Sequence, residues 1–348
     1  MNRSLIIIFD NAPSAHKEGL IEKFALESEI IIFHLASKRD QEHPSKKYLR
    51  KISFVNSRYI IDPKLNFFEI NKKFEQIFHG INIRKNYYSS IKIIYSFLDF
   101  RRLLLVLLLK RKVINLTNQL KLIPHFEPIR LNDYFLFPRL VKISFSLIFQ
   151  KIFLKSNEIY LFSSLNKFFY KLFFEKVSIY PYQQTKSYIL QCKNNLVNKK
   201  NKIFKVIYIG QLIKRKNPIL LIDACHKLNF KTELTILGEG SLRANIFRYY
   251  KKLKNYSSLR INFIDNLENN KVISLLKKSD VLVLPSKFDG FGFVVAEAIY
   301  TNTFVITSSQ VGSKDLIVEG INGSIFKNNS FDELYNHLNL HYLRINNL

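Results

Sequence analysis

VLVLPSKFDGFGFVVAEA, residues Val281 to Ala298, is the stretch whose reading decides the fold. Val281 to Leu284 is an uninterrupted apolar run with the length of a buried parallel strand. Pro285 and Ser286 end it. Lys287-Phe288-Asp289-Gly290-Phe291-Gly292 reads as a flexible loop, and Phe293 to Tyr300 as a helix with an apolar face. Strand, glycine-containing loop and helix start form an anion-binding corner. The free N–H groups of the first helical turn and the helix dipole both favour phosphate there. Asp289 and Glu297 bracket the corner with seven residues between them. A carboxylate beside a phosphate is repulsive unless it binds something else, such as sugar hydroxyls. The corner therefore points to a ligand that carries both phosphate and sugar.

Working outward, strand-like runs at 205–209, 233–237, 261–264 and 303–307 alternate with helical patterns. This alternation is the sequence form of right-handed βαβ units on a parallel sheet. Gly210, Gly238, Asp265 and the Asp289 loop all fall at or just after strand ends. Ligands of such sheets bind there, beyond the carboxyl ends of the strands.

The same stretch resembles the E-x7-E signature of the retaining glycosyltransferases of family 4 (glycosyltransferase group 1). That pattern runs roughly P-S-x-x-E-G-F-G-x-x-x-x-E-A. Pro285, Ser286, Gly290, Phe291, Gly292, Glu297 and Ala298 match it, and Asp289 stands where the family usually has Glu. The resemblance extends over about 120 residues. Gly210, Leu212 and Lys216 match a G-R-L-x-x-x-K-G pattern, with Gln211 in the Arg place and Asn217 in the last Gly place. Ile236-Leu-Gly-Glu-Gly-Ser-Leu242 is similar to the family's strand and G-x-G turn. Ile261 to Asp265 is similar to its next strand, with Asp265 in a Gly place. Gly312, Asp315, Leu316, Ile317, Asn322 and Gly323 are similar to its closing segment.

The resemblance implies an α/β fold of GT-B architecture, two Rossmann-like domains facing a central cleft. Residues 1–185 are expected to form an N-terminal acceptor-binding domain, 186–203 a linker and 204–329 the C-terminal nucleotide-sugar donor domain. Residues 330–348 are expected as a helix that packs back on the first domain. Ser330 as N-cap with Glu333 three residues on makes a capping box at its start.

The implied activity is retaining transfer of a hexose-type sugar from a nucleotide-diphosphate sugar, with UDP- and GDP-sugars both open. The implied acceptor is lipid-linked or a surface polysaccharide, as in lipopolysaccharide, capsule or glycolipid synthesis. By the same resemblance Lys216 holds the donor diphosphate, Asp289 contacts the donor sugar and Glu297 the ribose hydroxyls. Gly210, Gln211, Gly238, Asp265, Gly290, Phe291, Gly292, Phe293 and Val294 line the donor site. Gln211 brings no charge where the family has Arg, so Lys214 or Arg215 is a candidate replacement. His16, after the first strand Leu5 to Phe9, is a candidate acceptor contact or base. No metal or other cofactor is expected. Gln211, Asp289 and Asp265 also leave open a catalytically inactive relative that serves as a binding or scaffold protein.

Composition limits the other classes. The chain has 348 residues and 47% apolar residues, which suits two folded domains. It carries 54 basic against 27 acidic residues, a net charge of +27, and such a chain seeks polyanions. A pure polyanion binder is the third reading. Nucleic acid is the weaker partner, since no helix-turn-helix, RNP-type motif or zinc spacing occurs. Cys192 and Cys225 form neither a metal spacing nor a disulfide framework.

No secretion signal or membrane-spanning run is expected. Two segments are basic and aromatic: Ile81 to Lys112, and Lys142 to Lys155 with Phe145, Phe149 and Phe153 at fourfold spacing. Both are candidates for docking on an anionic membrane. The expected location is cytoplasmic, peripheral on the inner face of the plasma membrane.

Overall fold

The computed structural model describes residues 4–11, 21–26, 28–35, 57–61, 67–81, 88–95, 100–117, 119–126, 136–181, 189–190, 203–253 and 258–347. They divide into two compact units, Met1–Thr185 and Lys186–Leu348.

The first unit holds seven strands: β1 (Ser4–Asn11), β2 (Glu29–Leu35), β3 (Ser57–Ile61), β4 (Ser90–Tyr95), β5 (Leu120–Phe126), β6 (Glu158–Leu161) and β7 (Lys176–Ile179). They pair in the order β3-β2-β1-β4-β5-β6-β7, every pair parallel. Ile6, Ile7, Ile30, Ile31, Ile32 and Phe33 are all buried, so β1 and β2 are covered on both faces. That is why they read as continuous apolar runs and do not alternate. Among the helices that accompany the sheet are α1 (Phe67–Ile81), α2 (Phe100–Val113), α3 (Leu136–Ile152) and α4 (Lys167–Lys171).

β5 carries a proline inside a central strand, which sequence rules disfavour because proline has no N–H for the ladder. The register explains how it is tolerated. Leu120 to Pro124 pair with β4, whereas His125 and Phe126 pair with β6. Pro124 sits where the strand passes from one neighbour to the other.

The basic, aromatic run Ile81 to Lys112 is corrected by this fold. It contains β4 and α2, and Tyr88, Tyr95, Leu103, Leu105, Val106 and Leu109 all lie in the core. The Tyr95 hydroxyl donates to Gln150 Oε1 at 3.1 Å. The apolar residues named here are interior packing. No helix among the described residues is long and apolar enough to cross a membrane.

The second unit holds β8 (Phe204–Ile209), β9 (Thr232–Leu237), β10 (Leu259–Ile264), β11 (Val281–Leu284), β12 (Phe304–Ser308) and β13 (Gly323–Phe326). Their order is β10-β9-β8-β11-β12-β13, again all parallel. Helices α5 (Pro218–Lys227), α6 (Arg243–Leu253), α7 (Asn269–Lys278), α8 (Phe293–Tyr300) and α9 (Phe331–Ile345) complete it. Strand order reverses between β8 and β11. An open α/β sheet leaves a crevice at that reversal.

The apolar face of the last helix, α9, closes over the second unit. Leu334 and Leu338 are buried in that unit's core, and Tyr342 stacks on Phe230 with ring centroids 3.5 Å apart. The Ser330 hydroxyl accepts from the Glu333 amide at 3.4 Å, as a capping box requires. The Glu333 carboxylate, however, accepts from the Lys327 amide, one turn further back. Ser330→Ala is expected to cost about 1 kcal/mol, read as a lower unfolding midpoint of the second unit.

Candidate functional site

The loop after β8 begins at Gly210. The Tyr208 hydroxyl donates to the Gln211 carbonyl at 2.9 Å, fixing that backbone while the Gln211 side chain stays exposed. Burial, and secondarily the Asp289 carboxylate, raise the Tyr208 phenol well above its ordinary range, so it remains a donor. Lys214–Lys216 then form one tight turn. Asn217 follows with φ of 54°, and Pro218 opens α5. A left-handed residue is needed there. Asparagine tolerates that conformation, which accounts for Asn217 in a glycine place.

This turn is clamped to the loop after β11. The Lys287 amide donates to the Arg215 carbonyl at 2.8 Å, and Arg215 Nη1 donates to the Phe288 carbonyl at 2.6 Å. Lys216 Nζ pairs with Asp289 Oδ2, both side chains being mostly shielded from water. The guanidinium of Arg215 is therefore committed to the loop, and Lys214 is the exposed cation of the turn.

The Asp289 loop is not the flexible connection that its glycines imply. The Asp289 amide donates to the Gln310 carbonyl and the Gly312 amide to the Asp289 carbonyl, each at 3.0 Å. The Ser313 amide donates to the Phe291 carbonyl at 2.7 Å, and its hydroxyl to the Gly292 carbonyl at 3.1 Å. The segment after β12 thus braces the loop from behind. The fit is close: a Cβ on Gly312 would stand 2.0 Å from the Gly290 carbonyl oxygen. Gly292 ends the loop at φ of 80°, where a side chain would be strained, and α8 starts at Phe293.

The loop after β9 is laced to the same centre. A Cβ on Gly238 would lie 2.0 Å from the Gly210 carbonyl oxygen, and the Leu212 amide donates to the Glu239 carbonyl at 2.7 Å. After β10, Asp265 is exposed and pairs with Arg243 at 2.5 Å, and Arg243 lies over the Phe263 ring at 5.8 Å. On α8, Glu297 follows Phe293 by one turn and is half-buried, while Val295, Ala296 and Ala298 face the core. Phe291 is buried, with its ring 5.2 Å from that of Phe293; Val294 is half-buried.

Of the sequence-derived residues, the structure gathers Gly210, Lys216, Gly238, Asp289, Gly290 and Gly292 at one end of one sheet, beside the strand reversal. His16 lies outside the described residues. No sequence pattern marks Arg215 as a loop clamp, or Gln310 and Ser313 as a brace. Nor does any pattern mark His125 in the first unit. His125 is buried at the carboxyl end of β5, its ring 3.7 Å from that of Phe162 and its Nε2 3.3 Å from the Tyr180 carbonyl.

Residues 193–342 match the family model described as glycosyl transferases group 1. The match covers the whole laced site. Among the curated relatives is the UDP-Gal:α-D-GlcNAc-diphosphoundecaprenol α-1,3-galactosyltransferase of Escherichia coli. It is 26% identical over 151 residues, 42% of this chain and 38% of the relative. The chain spans well under half the length of the curated relatives that it matches.

Solved structures extend the likeness to nearly the whole chain. The lipopolysaccharide outer core galactosyltransferase WaaB superposes with a TM-score of 0.66 at 16% identity, covering 97% of this chain and 90% of that one. HepE of Anabaena, solved in complex with UDP, superposes with a TM-score of 0.65 at 14% identity, covering 99% and 91%. At these identities the likeness establishes the fold. The segment that matches the glycosyl transferases group 1 model lies in the second of two parallel-sheet α/β units of the GT-B type.

Proposed function

We propose that this chain is a retaining glycosyltransferase. It would move a hexose-type sugar from a nucleotide-diphosphate sugar to a lipid-linked or surface-polysaccharide acceptor. The observation that carries this reading is the Lys216–Asp289 pair, held by three laced loops beside the strand reversal, with Glu297 one turn into the following helix. Each group has a chemical task. Departure of a nucleoside diphosphate builds negative charge, which a fixed ammonium at Lys216 and the amides at the start of α8 would stabilise. Asp289 would exchange its bond to Lys216 for hydroxyls of the donor sugar. Glu297 would accept from the ribose hydroxyls. Gln211, Asp265, Phe291, Phe293 and Val294 would line the donor.

The match to the E. coli galactosyltransferase, whose name carries a UDP-sugar donor and a diphosphate-lipid acceptor, favours a UDP-sugar and a lipid-linked acceptor here. The UDP complex of the Anabaena neighbour favours the same donor base.

The test is thermal stabilisation of the purified chain by UDP- and GDP-sugars at moderate salt. One base family is expected to raise the unfolding midpoint. Glu297→Ala is expected to weaken that donor about 10- to 100-fold, the effect of losing charge-assisted hydrogen bonds. The configuration of the product's anomeric carbon then decides whether the reaction retains. Stabilisation without turnover would favour the inactive, scaffold-like reading. No stabilisation by any nucleotide sugar in folded protein would overturn the proposal.

A further inference from the structure

Helix α3 has apolar residues on two opposite faces. Ile143, Ser146, Leu147 and Gln150 are buried against the first unit's sheet. Val141, Phe145, Ile148 and Ile152 stand on the other side and are exposed, Phe145 at 69% and Ile152 at 60%. At a helical 100° per residue these four fall within an arc of about 60°, along a line of roughly 17 Å. Phe153 adds to its end, exposed and stacked on Phe149 at 4.7 Å. Scattered apolar residues on a surface are ordinary; a continuous stripe opposite the core face is not.

The neighbouring helix repeats the arrangement. In α4, Phe168 and Leu172 just past its end are exposed at 66% and 72%, while Tyr170 is buried. Ile143 and Leu147 of α3 and Tyr170 of α4 pack in one cluster with Ile159 and Leu161. Ile159 and Leu161 point the same way from β6, so both helices cover one side of the sheet. The charge around the stripes is mainly positive, although Glu175, three residues past Leu172, is exposed. Residues 134–157 contain no Asp or Glu, and Lys151, Lys155 and Lys171 are exposed. Glu158 is paired with Lys176 at 2.8 Å.

We propose that the solvent-facing stripe of α3, continued by Phe168 and Leu172, is a docking surface for the headgroup layer of an anionic lipid bilayer. An apolar ridge flanked mainly by lysines, along a helix that carries no acid, complements a surface that is negative outside and apolar beneath. A protein partner with an apolar groove would not require an acid-free α3.

The chain contains no tryptophan, so one introduced tryptophan reports a single position. Phe145→Trp is expected to shift its emission to the blue on vesicles of equal parts phosphatidylcholine and phosphatidylglycerol. Brominated acyl chains are expected to quench it. Phe247→Trp, exposed on α6 in the second unit, is the control and is expected to show neither effect. Ile148→Ser with Ile152→Ser is expected to weaken vesicle binding about 100-fold at physiological salt. Both positions face water, so the unfolding midpoint and the response to nucleotide sugars should be unchanged. A Phe145→Trp emission that stays aqueous while the protein sediments with the vesicles would overturn the proposal, leaving only charge adsorption. So would a dimer in solution that the double serine variant dissolves, with no quenching by lipid; the stripe would then join two copies of this chain.

Discussion

Lys216→Ala is expected to lower sugar transfer about 100- to 1,000-fold, the usual cost of removing one fixed stabiliser of developing charge. The ammonium is held at the end of β8 by Asp289, in a mostly dry position where a charge interacts strongly. The same setting gives a second explanation for any loss. Removing one partner strands the other, which destabilises the fold whatever the chemistry. The two effects separate in the double variant Lys216→Met with Asp289→Leu. Replacing a shielded ion pair by an apolar pair of similar volume is often neutral for stability. The double variant should therefore regain the unfolding midpoint that Lys216→Ala loses, while transfer stays at the single variant's level. Recovery of transfer along with the midpoint would show that the pair is only structural.

Gly312→Ala is expected to cost about 3 kcal/mol or more, because the added methyl has no room. It would meet the Gly290 carbonyl oxygen at 2.0 Å, backbone against backbone, with no side chain to swing aside. Relief requires the brace after β12 to move away from the Asp289 loop. Loss of stability should then come with loss of stabilisation by nucleotide sugar. Gly320→Ala is the matched control. Its φ of 70° disfavours a side chain, yet nothing lies within 4 Å of the added atom. It should cost about 1 kcal/mol and leave the sugar response intact. Equal costs at the two glycines, measured by denaturant unfolding, would count against the brace.

The second unit was largely legible because its strands are short apolar runs closed by glycine or polar residues. β11 and α8 lie where Val281 to Leu284 and Phe293 to Tyr300 place them. β13 escaped notice, since Gly323 to Phe326 is a short strand that begins on glycine. The first unit was harder. β5 contains Pro124 and His125, which argue against a strand until the change of pairing partner is seen. β4 and α2 were hidden in a run whose lysines and arginines suggested a surface. At the site, residue types were legible and their partners were not. Lys216 and Asp289 are far apart in sequence, and the brace from Gln310 to Ser313 comes from beyond another strand. Local glycines therefore read as freedom where distant hydrogen bonds impose order. In α3 the fourfold spacing of Phe145, Phe149 and Phe153 suggested one face. The structure instead half-buries Phe149 and puts the exposed ridge on Val141, Phe145, Ile148 and Ile152.

The lacing of the strand-end loops bears on how such a site can change over generations. At Gln211, Lys214 and Glu239 the side chains are exposed, while neighbouring main-chain groups carry the bonds that tie the loops together. Framework and ornament are thus separated atom by atom. A new preference for base or sugar can be written into those side chains by single substitutions without loosening a loop. Insertions in the same loops would break several ties at once. Diversification by replacement, at constant loop length, is the path this arrangement leaves open.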